Sequence, residues 1–299
     1  MFLTVFTPTY NRAHLLPRLY DSLHRQTCKD FEWIIVDDGS TDNTEEVVNG
    51  FIKVETTFPI RYFKQANGGK HRAFNRGVKE AQGVWFKCVD SDDMISERGI
   101  EEIKPYCDEL EYNPEFCAVT GLKVFSNGST IGTSCNYEVI DSDFFSYRYK
   151  LHIQGDRAEC IKTSIWRAFP FPEFENEKFL AEGGALLAMA RKYKSRYVNV
   201  LFSICEYQED GLSNKFGQLS QDNPLGTLYN LKEVITFPGC PIVKKIRLKL
   251  SYYTLLNKIN KLNDIQIPKE CLLNSMPGID NLYVCAYSSI QIIKRLIHK

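Results

Sequence analysis

The sequence predicts an α/β protein: a mainly parallel sheet flanked by helices, with a helical appendage at the C-terminal end. Three observations carry this. Over the first ninety residues, short apolar runs such as Phe31–Val36 alternate with segments of helical periodicity, the pattern of strands buried on both faces. Polar or acidic clusters close each run. The 299 residues are 43% hydrophobic and 13% aromatic, enough for a sizeable core and too apolar for global disorder.

The elements follow in order. Phe2–Thr7 is a β-rich run that Pro8 should end. Asn11 is placed to cap a helix whose Leu15, Leu16, Leu19 and Leu23 recur at helical spacing. Phe31–Val36 runs into Asp37-Asp38-Gly39-Ser40, and Asp42 with Glu45 gives a capping-box pattern for the next helix. Ile60–Phe63, His71–Ala81 and Val84–Val89 read as strand, helix and strand. Further on, Ser96–Leu110 reads as a helix, Phe116–Phe125 as a strand and Asn127-Gly128 as a turn into a hairpin partner. Asp141–Tyr149 reads as a short helix, Phe169-Pro170-Phe171-Pro172 as a rigid loop, Glu177–Tyr193 as a helix and Tyr197–Ile204 as a strand. From Leu225 the chain is helical and increasingly basic.

Lys plus Arg number 37 and Asp plus Glu 37, which argues against a nucleic-acid binder. The balance is uneven, since residues 234–299 carry a net charge of +7 and the rest −7. No apolar run reaches the roughly 18 residues of a membrane span, and the first residues lack a secretory pattern. The expectation is a cytoplasmic protein. The ten cysteines include no Cys-x-x-Cys and read as reduced, mostly buried thiols.

Ligands of such sheets bind beyond the carboxyl ends of the strands. At those ends stand Thr7-Pro8-Thr9-Tyr10, Asp37-Asp38, Asn67-Gly68-Gly69-Lys70 and Asp90-Ser91-Asp92-Asp93. Close carboxylates repel unless a cation neutralises them, and their hard oxygens suit Mg²⁺ or Mn²⁺ together with substrate phosphates. The competing account of each cluster is an ordinary solvated turn or helix cap. Neither a Walker loop nor a Gly-x-Gly-x-x-Gly fingerprint is present.

Thr7-Pro8-Thr9-Tyr10-Asn11-Arg12, Val36-Asp37-Asp38-Gly39-Ser40-Thr41-Asp42, Asn67-Gly68-Gly69, Ala73-x-Asn75-x-Gly77, Ala81-x-Gly83 and Asp90-x-Asp92-Asp93 occur in this order. The ordered set resembles the family 2 glycosyltransferases with the Rossmann-like GT-A fold. That resemblance implies a nucleotide-sugar donor, usually UDP-linked, and a divalent cation, Mn²⁺ or Mg²⁺. By the same resemblance, Thr7, Pro8 and Tyr10 line the base pocket, Asp38 binds uracil and Lys70 lies near the diphosphate. Asp90, with Ser91, meets the ribose side and Asp92 the metal. The second half is similar to bacterial surface-polysaccharide members through Gly155-Asp156-Arg157-Ala158-Glu159, Phe171-Pro172-Glu173, Glu177-Lys178-Phe179 and Glu206-Tyr207. The family's catalytic base falls on Glu182, where Glu182-Gly183 stands in place of Glu-Asp, with Glu177 and Glu175 as rivals.

The implied organisation is a GT-A domain over 1–224, with 1–95 as the donor half and 96–224 as the acceptor half, followed by a basic helical region over 225–299. The implied reaction inverts the anomeric centre and adds one sugar to a glycan acceptor, lipid-linked, in surface-polysaccharide assembly. Polymerising relatives carry membrane helices and Gln-x-x-Arg-Trp, and this chain has neither. Residues 234–263 hold six Lys/Arg and no acid, interleaved with Ile and Leu, and 288–299 repeat the mixture. A basic amphipathic helix can lie on an anionic membrane surface, so a peripheral position on the inner face is expected, against a helix merely packed on the body. A sugar-nucleotide nucleotidyltransferase and a non-catalytic nucleotide- or carbohydrate-binding module are the rival functions. The first lacks its Gly-rich loop after strand one.

Overall fold

The computed structural model describes residues 1–134, 137–206, 208, 211–260 and 266–273. The basic segment 288–299 and Tyr207, both singled out above, lie outside the described residues.

The first half alternates as the sequence predicts: β1 (Leu3–Thr9), α1 (Leu16–His24), β2 (Phe31–Asp37), α2 (Thr44–Val54), β3 (Ile60–Lys64), α3 (Lys70–Glu80) and β4 (Trp85–Cys88). Next come β5 (Met94–Ile95), α4 (Gly99–Leu110), β6 (Phe116–Phe125), β7 (Val139–Ser142), a π-helical turn (Ser146–Lys150), β8 (Arg157–Lys162) and α5 (Thr163–Ala168). The chain then forms α6 (Gly183–Ala190), β9 (Lys194–Cys205), α7 (Leu212–Asp222), α8 (Pro224–Ile235), α9 (Ile242–Asn260) and a 3₁₀ turn (Lys269–Cys271).

Nine strands make one sheet in the order β3-β2-β1-β4-β8-β6-β9-β5, with β7 on β9. The first four strands are parallel, while β8 enters antiparallel to both β4 and β6. Alternate residues feed two cores. Leu3, Val5, Trp33 and Ile35 face Leu16, Leu19, Val48, Ile100 and Ile103 on one side. Phe6, Ile34, Val36 and Phe86 face Phe74, Val78, Trp166 and Leu228 on the other. Helix α3 lies close enough that a Cβ on Gly77 would sit 2.4 Å from the Phe6 ring, so only glycine fits there.

Several local expectations are corrected. Pro8 lies inside β1, because β4 pairs with β1 only as far as Phe6 and a missing N–H beyond that point breaks no ladder. Asn11 does not cap α1. Its backbone is left-handed (φ 52°), and its Oδ1 accepts the Thr41 N–H at 2.8 Å, tying the loop after β1 to the loop after β2. The Asp42–Glu45 box is not formed, because α2 starts at Thr44, whose N–H and hydroxyl both donate to Asp42. The Asn127-Gly128 turn forms, but its hairpin shrinks to a single bridge between Val124 and Thr130. In place of a helix over 141–149, β7 adds to β9 and a π-helical turn follows. The helix expected over 177–193 begins only at Gly183. The eight described cysteines are free thiols.

Candidate active site

The register of the parallel strands sets the site. Thr9 pairs with Asp37, so the ends of β1 and β2 lie level, and the Asp38 N–H donates to the Thr9 carbonyl at 2.9 Å. Asp37 turns inward, accepting from the Ser40 N–H at 2.7 Å and the Tyr62 hydroxyl at 2.6 Å. Asp38 is buried, and its carboxylate gathers the loop after β3. It accepts from Gln65 Nε2 at 2.8 Å, Asn67 Nδ2 at 3.1 Å, Gly68 N at 3.0 Å and Gly69 N at 2.7 Å. Gly69 has φ +96°, and a Cβ there would meet the Lys178 carbonyl oxygen. The Asn-Gly-Gly loop is thus pinned between Asp38 and the segment before α6.

Helix α3 starts there, and its first residue reaches across the rim. Lys70 Nζ lies 2.7 Å from Asp90 Oδ1 and 2.9 Å from Glu182 Oε1. Burial opposes a charge on Lys70, but Asp90 and Glu182 outweigh it and hold the ammonium protonated well above its usual range. Burial likewise works to raise Asp90, yet Lys70, Lys123 and Lys87 hold its carboxyl below the ordinary value. Asp93 pairs with Lys123 at 2.7 Å. Burial, reinforced by Asp90 and Asp92 against Lys123, pushes the Asp93 carboxyl up to about 6. Asp92 is raised by burial and by Asp90. Its carbonyl accepts from Arg18 at 2.6 Å, and Arg18 also pairs with Glu206.

Of the residues singled out in the sequence, Asp38, Lys70, Asp90, Ser91, Asp92 and Glu182 lie along this rim, with the exposed Tyr10 at its β1 end. Thr7 and Pro8 are buried in β1, and the Thr7 hydroxyl accepts from the Trp33 indole at 2.9 Å, facing the core. The three glutamates separate by environment. Glu182 sits at the N-cap of α6 with its side chain 44% exposed. Glu175 is exposed. Glu177 is buried, accepting the Leu225 N–H at 2.6 Å and the Gly226 N–H at 2.8 Å, so its carboxylate satisfies the first turn of α8.

Sequence reading missed three contributors. Gln65 joins the expected Asn67 in holding Asp38, and Lys123 on β6 pairs with Asp93. The third is His71, buried beside the Gly-Gly turn. Burial and Arg72 lower its pKa to about 4, and its Nδ1 has no hydrogen-bond partner among the described residues. The only cue was its place directly after Lys70.

Among the described residues no group of three or more His, Cys, Asp or Glu side chains is built to hold a metal by itself. Burial and Asp90 raise the Asp92 carboxyl against the opposing charges of Arg12 and Lys123, and a bound cation would relieve that rise. One or two carboxylates completed by substrate phosphates is a usual way of holding Mg²⁺ or Mn²⁺. The donor set fits such an ion through Asp92.

The family model "Glycosyl transferase family 2" matches residues 4–159. The glycosyltransferase GlyG of Streptococcus pneumoniae serotype 4 is 31% identical over 146 residues, covering 48% of this chain and 43% of that protein. The glycosyltransferase GlyA of the same organism is 34% identical over 215 residues, covering 71% of this chain and 27% of its own length. The chain therefore spans less than half the length of these two relatives. Among solved structures, Staphylococcus aureus TarS residues 1–349 in complex with UDP-GlcNAc superposes with a TM-score of 0.61 at 19% identity, covering 87% of this chain and 73% of that one. That last likeness concerns the fold.

Proposed function

Because the chain belongs to glycosyl transferase family 2, we propose that it moves one sugar from a UDP-linked donor to a hydroxyl of a glycan acceptor, inverting the anomeric centre. The observation that carries this reading is Lys70, which draws the donor-side Asp90 and the carboxylate Glu182 into one cluster at the strand ends. A base must stand close to the departing diphosphate yet on the other side of the sugar, and no covalent nucleophile is needed. Asp38 shapes the loop over the nucleotide, and Lys70 offers its charge to the diphosphate. Asp92 would hold Mn²⁺ or Mg²⁺, which when bound supplies positive charge to the leaving group. Glu182 takes the acceptor proton. Residues 1–95 then serve the donor, 96–224 the acceptor, and 225–299 attachment.

Incubation with a panel of nucleotide sugars and Mn²⁺, followed by release of the nucleoside diphosphate, tests the reading. Release from no donor would defeat it. Asp92→Ala is expected to cut metal-dependent release about 10²-fold while the melting temperature holds. Wild-type turnover in that variant would remove the metal role from Asp92.

The acceptor in this proposal is lipid-linked, part of surface-polysaccharide assembly. No helix among the described residues is long and apolar enough to cross a membrane. Ile242 and Val243 are 66% and 76% exposed at the start of α9, beside Lys245 and Arg247. Exposed apolar groups flanked by cations suit an anionic lipid surface. Ile242→Asp with Val243→Asp should abolish co-sedimentation with phosphatidylglycerol-containing vesicles, and unchanged sedimentation would reject this surface.

A further inference from the structure

A cleft of about 450 Å³ opens between the π-helical turn, α6 and α8, lined in part by the residues on either side of Glu182. Ala181, Gly183 and Gly184, the residues flanking and following Glu182, form part of its wall. A Cβ on Gly183 would meet nothing within 4 Å, so the wall is recessed at the residue next to the base. Phe144 and Tyr149 supply aromatic surface, and Asp156 and Asn230 supply oxygens.

Asn230 is the telling residue. Its Nδ2 donates to the Gly226 carbonyl at 3.0 Å, which fixes the amide. The Oδ1 that remains is buried and has no partner among the described residues. A buried oxygen without a donor is costly unless something else supplies one. A Cβ on Gly184 would sit 2.4 Å from this same Oδ1, so glycine there leaves room for the amide. The nearby cations are already engaged: Arg148 lies 5.4 Å from the Phe144 ring centroid and donates to the Gly155 carbonyl, and Lys244 Nζ lies 3.4 Å from the Tyr149 ring centroid. The cleft therefore asks for hydroxyl donors and one apolar face, and it offers little to an anion.

Resting on the transferase reading above, we propose that this cleft is the acceptor subsite and takes a neutral pyranose. The ring lies on the Tyr149 side, with hydroxyls donating to Asn230 Oδ1 and Asp156. The hydroxyl to be glycosylated is then presented to Glu182 at the inner end of the cleft. Asn230 acts as a specificity residue, favouring a sugar with a free hydroxyl at that position over its deoxy counterpart.

Saturation-transfer NMR with methyl glycosides of glucose, galactose and N-acetylglucosamine, recorded with UDP present, tests the assignment. At least one glycoside should bind, and Asn230→Leu should weaken it about tenfold. Gly183→Leu fills the recess where a side chain meets no neighbour, so the fold survives and binding is lost. Calorimetry with UDP reports on the donor half separately. If UDP binds but no glycoside does, or if Gly183→Leu leaves glycoside binding unchanged, the cleft assignment is overturned while the transferase reading stands. If UDP does not bind, the donor reading fails, and the glycoside measurements still decide the cleft.

Discussion

Glu182→Gln is expected to cut sugar transfer by about 10³-fold, a size typical of losing a general base, while UDP affinity changes little. The amide keeps the shape of the side chain and can still accept from Lys70, so the loss should fall on kcat and leave the donor KM nearly unmoved. The position of Glu182 supports the assignment. It is held by Lys70 at 2.9 Å, is partly open to solvent, and its neighbours Ala181 and Gly183 line the cleft beside α6. Glu177→Gln makes the contrasting control. That carboxylate accepts two backbone N–H groups of α8 and should cost stability. Steady-state kinetics of both variants, alongside melting curves, separate the roles. Full activity in Glu182→Gln would move the base elsewhere.

Asp38→Ala should show the largest effect on donor binding, about 10²-fold in UDP affinity, with a clear fall in melting temperature. Four donors converge on this carboxylate, two of them the amides of Gly68 and Gly69. Leaving a buried donor unsatisfied costs about 1–3 kcal/mol, and each kcal/mol lowers the melting temperature of a chain this size by about 2–4 °C. Without Asp38 the turn that launches α3 loosens, and Lys70 loses its aim. Asp38→Asn keeps one acceptor oxygen and should fall between the two. Titration calorimetry with UDP and thermal melts supply the readout, and an unchanged melting curve would refute the loop-organising role.

The first ninety-five residues were legible because each element there is a buried strand or a one-faced helix followed by its own polar cluster. Boundaries failed where tertiary contacts override local signals. Pro8 continues a strand because its open side has no partner, and Asn11 serves a loop twenty-nine residues away instead of its own helix. The stretch 177–182 looked helical because apolar and charged residues alternate there suitably. In the fold, Glu177 is spent on α8, while the Lys178 and Phe179 amides donate to Asn223, so the backbone is drawn away from a helix until Gly183. Asp38, Lys70, Asp90 and Glu182 could be singled out by their places in the sequence. Gln65 and Lys123 could not, since contacts between separate strand ends leave no periodic trace.

The double grip of Lys70 bears on the order of events in turnover. Lys70 Nζ stands 2.9 Å from Glu182 Oε1, so one carboxylate oxygen of the proposed base is engaged before a donor arrives. In the proposed reaction, incoming phosphate oxygens would compete for the same ammonium and loosen its hold on Glu182. If the proposed reaction holds, sequential kinetics with donor-first entry are expected.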